Sequence, residues 1–363
     1  MNVLAAVVEK PGVMSLQEFP RPSIGPEMAL LKVEMGGICS TDVKILHGTF
    51  PCPYPLIMGH EVLGWIEEIG SAAAKRFDVK AGDRVVVESS VPCGSCFYCL
   101  TGGYRFCQDA LSYGIKFSCA DPPHLWGSYA EYMCLAPRTA GIYKVSSRIP
   151  AEVAVLITTV IANGIQWLRR LGGAQMGDTV VIVGAGPQAL GCVAAARESG
   201  VGQVIVLGLS VDRERLELAG EMGASRTVNV EAEDAMEVVR AATGGRMADV
   251  VVEVSGSPAG VAQAIELARK QGTVVLGGLT GMKTLTSLAV DKVVLNEVRL
   301  QGAFSKGTEA IRAAIQLAET MKYPFGKLVT HQFPLAEAEQ AVKSVGREVP
   351  GLNPIKAVLL PTR

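Results

Sequence analysis

From Asp178 onward the chain alternates short, β-branched apolar runs with longer helical ones. "DTVVIVGAG" reads as a buried strand entering a turn, and "PQALGCVAAARES" as the helix that follows. "GQVIVLG", "RTVNV", "ADVVVEVSG" and "GTVVLGG" read as further strands, separated by the helices "RERLELAGEMGA", "DAMEVVRAAT" and "AGVAQAIELARK". Strands of about five apolar residues between helices of ten or more indicate βαβ units. Strands apolar on both faces indicate a parallel sheet covered on both sides, so the expected fold class is α/β.

Residues before about 150 have another texture: short strands such as "ALLKVEM", "EVLGWIEEIG" and "DRVVVES" lie among Gly and Pro turns. That pattern predicts a β-rich, barrel-like domain. The segment after about residue 300, with the helix "GTEAIRAAIQLAETM" and the strand "KAVLLP", fits either as the end of the parallel-sheet domain or as a return to the first. A length of 363 residues suits two domains, and 49% hydrophobic against 19% charged residues excludes disorder.

A formal charge of -1 without basic runs predicts a small-molecule partner, with no nucleic acid and no membrane. "MNVLAAVVEKPGVM" lacks the basic start and cleavage site of a secretory leader, and "VVIVGAGPQALGCVAAA" is too short and too interrupted for a span. A cytoplasmic, reducing location is expected, where close cysteines mean metal or redox work rather than bridges.

The turn "GAGPQA", Gly184, Ala185, Gly186, Pro187, Gln188 and Ala189, follows a strand and opens a helix, the context that gives G-x-G-x-x-G/A its meaning. Gly184 permits the tight turn and Gly186 the approach of a pyrophosphate. Ala189 stands in for the third glycine, and the helix N-terminus faces the phosphates. At the end of the next strand Gly208 occupies the place of the acid that grips the ribose of NAD. Ser210, Arg213 or Arg215 could then bind a 2′-phosphate, a slight lean to NADP, although Asp212 could reach the ribose instead.

"VPCGSCFYCLTGGYRFCQD" gathers Cys93, Cys96, Cys99 and Cys107. Four thiolates at this spacing can converge on one tetrahedral zinc. An iron-sulfur cluster is the rival, with spacing unlike the ferredoxin runs. A site closed by four thiolates has no position for a substrate, so chemistry must lie elsewhere. "GGICSTDVKILHG" and "LIMGHEVLG" offer Cys39, His60 and Glu61, the sulfur, nitrogen and oxygen donors that catalytic zinc accepts.

With "GICSTD", "GHEVLGWIEEIG", "AGDRVVV", the four-cysteine lobe, "GSYAEY", "GAGPQA" and "LVTHQFPL" in this order, the chain resembles the zinc-dependent medium-chain dehydrogenase/reductases over essentially its whole length. The resemblance implies a GroES-like β-rich catalytic domain over 1–154 that carries both zincs, a doubly wound Rossmann domain over 155–300, and a segment 301–363 returning to the first domain. It implies an active-site cleft between the domains, two zincs per chain, NAD or NADP, and a homodimer or homotetramer. Cys39 and His60 would be catalytic-zinc ligands, with Glu61 a ligand or close neighbour, Thr41 the hydroxyl that touches the alcohol, and Asp42 a supporting partner. The implied reaction moves a hydride between a secondary, cyclic or polyol alcohol and the nicotinamide, zinc acting as Lewis acid.

Two positions depart from the family pattern. Thr159, in "LITTVIANGIQ", stands where relatives often place a further Cys or Glu ligand, and Lys44 stands where a relay histidine is common, leaving His47 or water for that role. A zinc-free quinone or enoyl reductase of the same fold, and a non-catalytic dinucleotide sensor, are the alternatives. Phe50, Tyr54, Trp65 and Trp126 are candidates for an apolar substrate pocket or for core.

Overall fold

The apolar run Thr179–Val183 is the third strand of a six-stranded sheet that runs parallel throughout. In spatial order the strands are Arg226–Asn229, Gln203–Gly208, Thr179–Val183, Ala248–Glu253, Ala268–Leu276 and Arg299–Gly302. Numbered by sequence this is 3-2-1-4-5-6, the doubly wound order, whose switch point lies between Thr179–Val183 and Ala248–Glu253. Val181, Ile205 and Val251 are fully buried between the covering helices, each contributing roughly 1.5–3 kcal/mol of transfer free energy. The computed structural model describes residues 2–281 and 284–361.

One element differs from its sequence reading. The helix expected over "AGVAQAIELARK" spans Pro258–Leu267, and Ala268 already begins the next strand at φ -77 and ψ 138. The sheet overrides helical propensity there, since Ala268 pairs with Ala248 and the Arg269 guanidinium turns to Asp249 at 2.6 Å.

The chain divides into two units: Met1–Thr158 with Leu317–Met321 and Phe325–Arg363, and Thr159–Gln316 with Lys322–Pro324. The first is built on a seven-stranded sheet in which Ala29–Gly37 pairs with Glu61–Ile69, Tyr132–Leu135 and the late strand Lys356–Leu360. Lys356–Leu360 also runs parallel to Val329–Pro334, so the end of the chain completes this unit. A three-stranded sheet joins Val13–Pro20, Asn2–Lys10 and Leu56–Ile57. The core between them holds Val7, Leu30, Leu31, Ile57, Met58 and Tyr129, all with essentially no exposed surface.

The helical stretch Ala151–Leu171 is long and apolar enough by composition to cross a membrane. Of its most apolar window, 89% is buried within the protein, as in a core helix.

Candidate active site and metal centres

The short ladder Ser90–Val91 against Leu111–Ser112 brackets the cysteine lobe. The Sγ atoms of Cys93, Cys96, Cys99 and Cys107 all lie within 4.8 Å of one another, with Cys93 and Cys99 at 3.9 Å and Cys96 and Cys99 at 3.6 Å. Four sulfurs about 2.3 Å from one tetrahedral ion sit about 3.8 Å apart, so the set fits a single zinc; a cluster of several irons holds its thiolates wider. The N–H groups of Ser95 and Cys96 donate to Cys93 Sγ at 3.4 and 3.3 Å and lower that thiol to about 6. A thiolate is the form a metal requires. The lobe is tied inward by Tyr104, whose hydroxyl donates to both oxygens of buried Glu88 at 2.8 Å.

The second donor set is assembled by two strand ends. Ala29–Gly37 leads to Cys39, the N-cap of the helix Ser40–Leu46, and Glu61–Ile69 begins directly after His60. The donor atoms of Cys39, His60 and Glu61 lie within 4.8 Å of one another. Burial raises the Cys39 thiol, but its hydrogen bond with His60 and the charge of that ring bring it below its ordinary value. Glu61 is fully buried, and its Oε1 has no hydrogen-bond partner. A buried carboxylate oxygen left without a donor, beside a thiol and an imidazole, fits a metal ion. Asp42 supports the set: its Oδ2 accepts the Cys39 N–H at 2.7 Å, and its Oδ1 stands 3.4 Å from His60 Nδ1. Thr41 Oγ1 lies 3.9 Å from Cys39 Sγ.

Two neighbours of this site, Lys356 and Tyr129, are not among the residues that the sequence reading assigns to it. Lys356, buried in the last strand, pairs with Glu61 Oε2 at 2.5 Å. Tyr129 is fully buried, and its backbone N–H donates to Met58 O at 3.0 Å. Its ring covers Gly59, where a Cβ would meet Tyr129 Cδ1 at 2.6 Å and where φ is +97, so only glycine fits immediately before His60. Burial, and then the charges of Asp42 and Glu61, hold the Tyr129 hydroxyl far above its ordinary pKa. Lysine within an apolar strand was the one local clue. Tyr129 stood inside a recognised motif with no role attached.

The remaining expected residues are dispersed. Lys44 lies one turn after Thr41, and His47, at the helix C-cap and exposed, has Nε2 2.7 Å from Glu348 Oε1. Thr159 is buried in the second unit with its hydroxyl unpartnered. Trp126 is core, donating to Asp121 O at 3.0 Å and stacked on Phe117, while Trp65 is partly exposed beneath Arg84. Phe50 and Tyr54 pack on the core, and the Tyr54 hydroxyl donates to Ile45 O at 2.6 Å.

In the second unit, the glycine turn sits at the switch point. Gly184 has φ +110, and a Cβ there would lie 2.8 Å from Ser255 N, so the turn closes against the end of the neighbouring strand. Ala185 and Ala189 are buried; Gly186 caps the helix Pro187–Glu198, with Pro187 in its first turn and open space where a Gly186 side chain would project. Gln188 Oε1 accepts from Asn163 Nδ2 at 3.3 Å.

A doubly wound dinucleotide fold together with two metal donor sets on one chain defines a metal-dependent dehydrogenase. Residues 25–147 match the alcohol dehydrogenase GroES-like domain family, and residues 187–320 the zinc-binding dehydrogenase family. A probable alcohol dehydrogenase of Mycobacterium tuberculosis is 38% identical over 364 residues, covering 99% of this chain and 98% of its own. An erythritol/L-threitol dehydrogenase of Mycolicibacterium smegmatis is 34% identical, covering 98% of this chain and 97% of its own. The crystal structure of a zinc-binding dehydrogenase from Sinorhizobium meliloti 1021 bound to NADP superposes with a TM-score of 0.88 at 27% identity, covering 99% and 100%. The chain belongs to the zinc-binding medium-chain alcohol and polyol dehydrogenase family and is a zinc-dependent NAD(P) dehydrogenase acting on alcohols or polyols.

Proposed function

We propose that Cys39, His60 and Glu61 hold the catalytic zinc, that Cys93, Cys96, Cys99 and Cys107 hold a structural one, and that the substrate is a secondary, cyclic or polyol alcohol. The convergence of Cys39, His60 and Glu61 around an unpartnered buried Glu61 oxygen carries this reading. It also sets aside the zinc-free reductase, in which those three donors would have no role. When bound, zinc supplies a Lewis acid that acidifies the alcohol, and the nicotinamide takes the hydride.

The chain's own groups organise the rest. Asp42, facing Nδ1 of His60, favours the tautomer that carries the proton on that nitrogen and leaves Nε2 as the ligand. Lys356 neutralises Glu61 through Oε2 and leaves Oε1 for the metal. Thr41 Oγ1 takes the substrate's hydroxyl proton and hands it outward. Lys44 follows on the same helix and His47 at its C-cap, where the His47 ring, oriented by Glu348, reaches solvent.

Exposed Val294 and Leu295, in the helix that precedes the edge strand Arg299–Gly302, support a homo-oligomer formed along that sheet edge. The gathering of four close cysteines into a metal donor set, the use such spacing has in a reducing compartment, supports a cytoplasmic location. The test is a panel of secondary alcohols and polyols with NAD and NADP side by side, followed at the reduced-nicotinamide band on protein of known zinc content. Turnover with two zincs per chain is expected, and no turnover at full zinc and cofactor occupancy would favour the sensor.

A further inference from the structure

Gly208 is where a doubly wound fold usually places the carboxylate that accepts from the ribose of NAD. Packing is tight at the glycine: a Cβ there would come within 3.1 Å of both Ala185 Cβ and Leu216 Cδ2. The close fit of the strand end against the glycine turn and the helix Arg213–Glu221 disfavours a side chain there, so the missing acid does not by itself argue for a phosphate.

The groups expected to receive a 2′-phosphate are already engaged. The Ser210 N–H donates to Glu231 Oε2 at 2.7 Å, and Ser210 Oγ accepts from Asn229 Nδ2 at 3.0 Å. Arg215 Nη1 donates to Asp212 Oδ1 at 3.3 Å, while Asp212 Oδ2 accepts the Leu209 N–H at 3.2 Å. Arg213, largely exposed, stands 3.8 Å from Glu217. Glu231 is held from its own side as well, its N–H donating to Asn229 Oδ1 at 3.1 Å. The strand pairing makes this possible, because Gly208 and Asn229 are register partners in adjacent parallel strands. Glu231 thus emerges two residues beyond the level of the absent acid.

We infer that Glu231 is the specificity-determining carboxylate for the cofactor: reaching from the neighbouring strand end to the Ser210 amide, it supplies the charge Gly208 cannot, accepts from the adenosine ribose hydroxyls, and repels a 2′-phosphate. The enzyme then prefers NAD, against the lean to NADP drawn from sequence. The inference rests on the dinucleotide reading of the second unit. With Glu231 neutralised, a 2′-phosphate would find the Ser210 amide, the Ser210 hydroxyl and Arg213 in one place.

The test titrates NAD and NADP separately into the zinc-loaded full-length protein by calorimetry, without alcohol, for wild type, Glu231→Gln and Glu233→Gln. Glu233 is a nearby carboxylate paired with Arg226, and controls for general surface charge. Wild type is expected to bind NAD about tenfold or more tightly than NADP, and Glu231→Gln to shrink that ratio by about tenfold, chiefly through tighter NADP, with Glu233→Gln leaving it unchanged. A wild type that binds NADP as tightly as NAD, or a ratio unmoved by Glu231→Gln, overturns the inference while the dinucleotide reading stands. A wild type that binds neither dinucleotide removes both.

Discussion

Asp42 binds the Cys39 backbone amide at 2.7 Å with one carboxylate oxygen and stands 3.4 Å from His60 Nδ1 with the other. One buried side chain thereby fixes the position of a thiol and the orientation of an imidazole that come from different strands. Asp42→Asn keeps the shape but loses the charge, and is expected to weaken zinc binding at this site by about 10–100-fold. Competition against a chromogenic chelator measures it, with the four-cysteine site as internal reference. Tyr129→Phe, which removes a buried hydroxyl under the charges of Asp42 and Glu61, is expected to weaken the same site by less.

Lys356 and Glu61 form an ion pair with both side chains almost wholly buried. In the zinc-free protein Lys356→Met leaves a buried carboxylate uncompensated and is expected to destabilise the protein by about 3–5 kcal/mol in denaturant unfolding. Adding Glu61→Gln should recover much of that loss. Equal destabilisation by the single and the double variant would mean that Lys356 acts through packing alone.

Asp249 joins the starts of three strand segments, accepting the Thr179 N–H at 2.8 Å, Arg269 Nε at 2.6 Å and Arg246 Nη2 at 3.2 Å. Burial raises this carboxyl, but the bonds from Thr179 and Arg269 and the arginine charges hold it below its ordinary range. A carboxyl with a lowered folded-state pKa stabilises above the unfolded value near about 3.9, and that stabilisation fades as pH falls through the folded value. Asp249→Asn should therefore cost about 1–3 kcal/mol at neutral pH and progressively less below about pH 4. Thermal unfolding at neutral and acid pH measures the difference; a pH-independent cost would contradict it.

The features readable from sequence are those written in local pattern. The glycine turn, the alternation of strands and helices, and the cysteine spacing each fit within a few dozen residues, and each is found where the pattern put it. Cys39 with His60 and Glu61 needed two segments, and was reached through donor chemistry and a family resemblance. Lys356, Tyr129 and Glu231 were not reached, because their roles arise only when strands distant in sequence pair: Lys356–Leu360 with Ala29–Gly37, the Tyr129 backbone with Met58, and Asn229 with Gly208. The early end of the helix at Leu267 has the same cause, a strand pairing that outweighs local propensity.

Cys99→Ser removes a thiol that lies 3.9 Å from the sulfur of Cys93 and 3.6 Å from that of Cys96. Expected are loss of one zinc per chain and a lower unfolding temperature, with kcat of the surviving folded fraction little changed. A folded variant of normal stability that lost only its catalytic step would place chemistry in the lobe.

The division of labour between the two metal sites is tested most directly by Cys39→Ala, with zinc content, dinucleotide affinity and alcohol turnover measured on one preparation. About one zinc per chain is expected to remain in the lobe, with dinucleotide binding preserved and turnover abolished. Turnover at the wild-type rate with one zinc per chain would contradict it.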